Sequence, residues 1–171
     1  MAQSNFQISD IEGPELLKNF LSYMFAIKGR SPRTVNAYYI DLRFFLRYLK
    51  ASRLNLPMDS KNLCEIEIDD IPEDMILNAS MSDAYGFLNF VIAENSNCAD
   101  TRARKVSSIR SFYKYIFEKT NKLTTNPMSS LDSPAKKKRL PKYLTLEESI
   151  DLLNSKRQAC CKGLLYDYIY A

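Results

Sequence analysis

Apolar residues recur three and four apart through most of this chain, the spacing of one helix face rather than of a strand. Leu16, Leu17, Phe20, Leu21, Met24 and Ile27 predict a first helix over residues 14–28, with Pro14 suited to its first position and Gly29 to its left-handed end. Ser31 followed by Pro32 reads as a fresh N-cap. The stripe Val35, Tyr38, Leu42, Phe45 or Leu46, and Leu49 carries a second helix to about Lys50. Residues 51–67 lack this period, hold Asn55, Pro57 and Asn62 as breakers, and read as irregular. Pro72 opens a short acidic helix, and Tyr85, Phe87, Leu88, Val91 and Ile92 predict another over residues 83–94. Asp100 or Thr101 caps a fourth strong helix reaching Lys119, and residues 121–142 have the Pro, Ser and Thr content of a linker. Thr145-Leu146-Glu147-Glu148 fits a capping box that starts a short helix to about Asn154. The expected fold is all-α, a bundle of four to five helices.

Composition narrows the chemistry. At 46% hydrophobic the 171 residues can bury a core, and they suit one domain plus part of a second. No run of eighteen apolar residues is present, so no membrane span is expected. The polar, acidic stretch from Met1 to Glu12 lacks the basic start and apolar centre of a secretory signal, and a cytoplasmic protein is expected. Histidine is absent, and Cys64, Cys98, Cys160 and Cys161 form no C-x-x-C pair. A zinc site would need four ligands at regular spacing, which this set does not offer, Ser-His and Cys-His catalysis lack their base, and no metal or cofactor is expected. The pairs Asp69-Asp70 and Glu73-Asp74 read as helix N-terminal charges rather than as an acid/base couple.

Charge is sorted into blocks. Residues 28–53 carry seven bases against Asp41, residues 54–100 ten acids against Lys61, and residues 101–142 twelve bases against Glu118 and Asp132. Folded together, the basic blocks would present a cationic face to a polyanion. On a helical wheel from Arg102, the apolar arc holds Ala103, Val106, Ile109, Phe112, Tyr113, Ile116 and Phe117. The opposite arc holds Arg104, Ser107, Ser108, Ser111 and Lys114, bordered by Lys105 and Arg110. Small serines between long bases suit a helix entering a major groove, which is about 12 Å wide. The alternative is a solvated basic face, and the absence of acids between Thr101 and Phe117 counts against it. The second helix repeats the design with Arg33, Asn36, Ile40, Arg43, Arg47 and Lys50 in one stripe. Lys136, Lys137, Lys138 and Arg139, between Pro134 and Pro141, read as a strap along phosphates or as a solvated linker.

These stretches together resemble the N-terminal part of tyrosine recombinases of the Xer and phage-integrase group. Ser31-Pro32-Arg33-Thr34-Val35-Asn36-Ala37-Tyr38 with Asp41-Leu42 resembles one family helix, "S-x-x-T-x-x-x-Y-x-x-D-L". Val106-Ser107-Ser108-Ile109-Arg110-Ser111-Phe112-Tyr113-Lys114-Tyr115 resembles a second, and Asn126-Pro127 with Leu140 to Thr145 resembles the junction to the catalytic domain. The resemblance implies a SAM-like core-binding bundle that clamps one side of a duplex, a basic linker, and the short helical start of a second domain. The expected divisions are an arm at 1–12, the core-binding domain at 13–133, the linker at 134–142 and the second domain's start at 143–171.

On matching positions the resemblance nominates Ser31, Arg33, Thr34, Asn36, Arg104, Lys105, Ser108 and Lys114 as DNA contacts, with Lys136 to Arg139 as linker contacts. The charge pattern adds Arg43, Arg47, Arg102 and Ser111. The family's chemistry is a tyrosine attack on a phosphate held by arginines, a lysine and histidines, without metal. Leu164 to Ala171 resembles the helix before its "T-G-x-R" motif, and the chain ends where that motif would begin, so no catalytic residue is assigned. Double-stranded DNA is the expected partner, with full-length recombinase subunits joining on DNA and a monomer in free solution. A stand-alone regulator of recombination and a helical module for an acidic protein are the alternatives.

Overall fold

The computed structural model describes residues 11–57, 59–95, 99–134 and 145–150. They divide into two units: those up to 134 belong to the first, and residues 145–150 to the second. The first unit is an all-α bundle, and no strand occurs among the described residues.

Helix α1 (Glu15–Ser22) starts on Pro14, whose carbonyl accepts the N–H groups of Leu17 and Lys18 at 2.9 and 3.2 Å. It runs into a wider turn, Tyr23–Ile27, where N–H groups reach five residues back, as Lys28 does to Tyr23 at 3.0 Å. The extra residue per turn rotates Ile27 off the apolar stripe, and Ile27 is 73% exposed although its spacing placed it in the core. Gly29 follows at φ 59°, and a side chain there would meet no neighbour, so backbone conformation alone asks for glycine.

Helix α2 (Pro32–Arg53) is the spine of the bundle and packs against α1 and each later helix of the unit. Ser31 caps it, its Oγ accepting the Thr34 N–H at 3.3 Å. Val35, Leu42, Phe45, Leu46 and Leu49 are fully buried along it. Residues 51–67 are less irregular than expected: α3 (Ser60–Glu65) is capped by Asp59, which accepts the Asn62 N–H at 2.8 Å. A six-residue helix is too short to show an apolar period. Helix α4 (Glu73–Leu77) follows Pro72, and α5 (Met81–Asn95) opens earlier than its apolar pattern because Ser80 and Asp83 cap each other.

Helix α6 (Ala99–Tyr115) buries Val106, Ile109, Phe112 and Tyr113 against α2 and α1, and a second wide turn, Ile116–Thr120, ends on left-handed Asn121. Phe117 is 38% exposed in that turn, outside the apolar arc expected of it. Beyond it the chain folds back. Met128 and Leu131 are core residues, so the first part of the stretch with linker composition belongs to the bundle. In the second unit a short helix at 146–150 begins with the expected capping box, Thr145 and Glu148 each accepting the other's N–H at 3.2 and 2.8 Å. No described helix is long and apolar enough to cross a membrane.

Candidate nucleic-acid interface

Asp41 is 1% exposed and sits on the face of α2 that meets α6. Its Oδ2 accepts from Arg104 Nη1 at 2.5 Å and from Ser108 Oγ at 3.0 Å, while Oδ1 faces Lys105 Nζ at 3.2 Å. Lys105 Nζ also lies 5.0 and 5.8 Å from the ring centroids of Phe44 and Phe87, so one ammonium ties α2, α5 and α6 together. A carboxylate this deep needs such company, since an unpaired buried charge costs several kcal/mol, roughly 3–5 when one partner is removed.

Three recesses open on the outer side of this node and share lining residues along α6. The first, against α2, is lined by Ser31, Arg33, Thr34, Ala37, Tyr38, Arg104, Ser107 and Ser108. The second lies toward the α1–α2 turn and adds Lys28, Arg30 and Lys119 to Tyr38, Ser111 and Lys114. The third, toward Asn126, Met128 and Ser129, adds Arg110. Among the described residues Glu118 is the one carboxylate lining them, 3.5 Å from Lys114 in an exposed pair. Such an exposed pair is weak. Among the described residues, no group of three or more Cys, Asp or Glu is arranged to hold a metal ion.

The nominated residues do not all come together. Ser31, Arg33, Thr34, Arg104, Ser108, Ser111 and Lys114 border this concave face, though Ser31 and Thr34 also serve the cap of α2. Lys105 and Ser108 correct the helical wheel. It placed them on or beside the polar arc, and the structure buries both, Lys105 at 7% exposure, because Asp41 arrives from another helix to pair with them. The α2 stripe is the second correction. Asn36, Arg43, Arg47 and Lys50 lie roughly 120–180° around the helix from Asp41 and line none of the three recesses.

Three of them have other tasks there. Arg47 Nε donates to the Ile66 carbonyl at 2.8 Å, and burial, with Arg43 beside it, lowers the guanidinium's pKa from its usual value. Lys50 donates to the Glu67 carbonyl and to Asp70, and that hydrogen bond draws the Asp70 carboxyl below the ordinary range. Arg43 stacks on Tyr39, 5.1 Å from its centroid. Arg102 is half-buried and borders none of these recesses. Lys136, Lys137, Lys138 and Arg139 lie outside the described residues, as do residues 1–10 and everything from 151 onward. Lys28, Arg30, Tyr38 and Asn126 were not nominated. Lys28 and Arg30 had the basic block as a signal, whereas nothing local marks Asn126 as a wall of a recess.

Sequence comparison supplies the family. Over 142 residues, 83% of this chain, the sequence is 45% identical to the tyrosine recombinase XerC of Caldanaerobacter subterraneus subsp. tengcongensis. The chain belongs to the Xer-like tyrosine recombinases. Other relatives are the tyrosine recombinase XerC of Myxococcus xanthus, 32% identical over 81% of this chain, and XerD of Listeria monocytogenes serotype 4b, 29% identical over 88%. The chain spans only about two fifths of the length of these recombinases, from 39% to 44% of each. No family model matches the sequence, and no solved structure matches it.

Proposed function

We propose that this chain is the DNA-holding portion of a site-specific tyrosine recombinase. In this reading residues 13–133 are the SAM-like core-binding domain, laid against duplex DNA by α6 and by the N-terminal end of α2. Lys136 to Arg139 strap onto phosphates, and residues 143–171 begin a second domain. The observation that carries it is the concave face around Ser107, Ser111 and Lys114, walled by Lys28, Arg30, Arg33, Arg104 and Arg110, with Glu118 the one acid among the described residues that line it. A helix that presents serines at its crest and bases at its flanks can approach a groove closely and still reach the phosphates on either side. No residue of the chain is assigned to strand cleavage.

Selection of bound duplexes from a random pool tests both halves of the reading. The chain should retain duplex in the presence of competitor and enrich one sequence, its cognate half-site. A protein that holds an acidic protein instead would retain no duplex, and that result would overturn the proposal.

A further inference from the structure

Asp41 touches no recess, yet it determines how one recess residue is presented. Arg104 spends Nη1 on Asp41, with a longer bond from the same nitrogen to the Ala37 carbonyl at 3.4 Å. No described residue accepts from its Nε or Nη2, and the side chain remains 46% exposed at the lip of the recess beside Ser31, Arg33 and Thr34. The guanidinium is planar, so fixing one corner by a buried carboxylate fixes the direction of the Nε–Nη2 edge. That edge offers two parallel donors, the pattern that matches the O6 and N7 acceptors of a guanine.

Resting on the proposed duplex binding, we infer that Asp41 is a positioning residue that orders Arg104 before DNA arrives, so that its Nε–Nη2 edge reads a guanine in the major groove. An arginine free in solution loses rotamer entropy on docking. Here the fold has already lost most of it. Lys105 and Ser108 complete the arrangement: they also bond the carboxylate of Asp41 and hold it in place without drawing Arg104 fully inward.

Removing Asp41 alone would strand the buried Lys105 ammonium, so the informative variant is Asp41→Asn/Lys105→Met, in which a thioether chain replaces the cation against Phe44 and Phe87. Affinities of the 171-residue chain would be measured for the selected duplex and for a scrambled duplex of the same composition. Arg104→Ala should lower the cognate-to-scrambled ratio by about tenfold or more, the worth of one bidentate base contact. The folded double variant should fall to the same level, and adding Arg104→Ala to it should cost nothing further. A folded double variant that keeps the wild-type ratio would overturn the inference, as would equal losses on both duplexes.

A second measurement needs no substitution. The Nε–H of Arg104 in the DNA-free wild-type chain should relax like the backbone of α6, and a freely rotating side chain would overturn the inference even if the double variant failed to fold. Failure of the underlying reading looks different: the wild-type chain would retain no duplex, whatever the order of Arg104.

Discussion

Tyr113 is the largest of the fully buried side chains, and its hydroxyl donates to the Ile76 carbonyl at 2.9 Å. Burial raises its pKa far above a tyrosine's ordinary value, so the phenol stays neutral wherever the fold survives. Tyr113→Phe should lower stability in urea by about 1 kcal/mol without altering the slope of the transition, since it removes one buried hydrogen bond and little volume. An unchanged midpoint would contradict the role given to that bond. Gly86 tests packing more sharply, because a Cβ there would lie 2.6 Å from Tyr48 Oη, in a ring wedged between Phe87 and Phe90. Gly86→Ala should cost about 1–3 kcal/mol, and Gly86→Ala/Tyr48→Phe should recover much of it, as read by thermal midpoints. Apolar residues such as Tyr113 were legible at this scale from spacing alone. Lys105 and Ser108 were not, because the carboxylate that buries them lies more than sixty positions away in sequence.

Helices were legible where caps and periods agreed: Ser31, Thr145 and Gly29 each mark an end by their own chemistry. The two wide turns left no such mark, and they moved Ile27 and Phe117 into solvent. Helix α6 kept its expected division except at buried Lys105 and Ser108, with Arg104, Ser107, Ser111 and Lys114 at the recesses, whereas α2 brought only its N-terminal end to them. Its C-terminal bases are spent on the loop at 66–70 and on Asp83, acceptors that a wheel drawn for one helix cannot include. The proposed function gives α6 and the basic run at 136–139 different roles. Lys114→Ala should weaken binding to a selected half-site more than to random duplex, and Lys137→Ala should weaken both alike. Equal losses from the two changes, measured by titration on both duplexes, would contradict it.

Across the molecule, no acid of the block at 54–100 is among the described residues that line the recesses. Lys18 pairs with Asp69, Lys50 with Asp70, Arg53 with Asp83 and Lys122 with Glu73, so much of the charge sorting in sequence is consumed as internal pairing. Among the described residues no carboxylate pairs with Lys28, Arg30, Arg33 or Arg110, which face the recesses, and Lys114 has an exposed pair with Glu118. The existence of a cationic face was legible in the blocks, but which bases form it depended on where the acids folded. Duplex affinity measured as a function of salt tests that face most directly. If Lys28, Arg30, Arg33, Arg110 and Lys114 each neutralise a phosphate, log affinity should fall against log salt with a slope of about −4 to −5. A slope near zero, or no binding at low salt, would contradict the account.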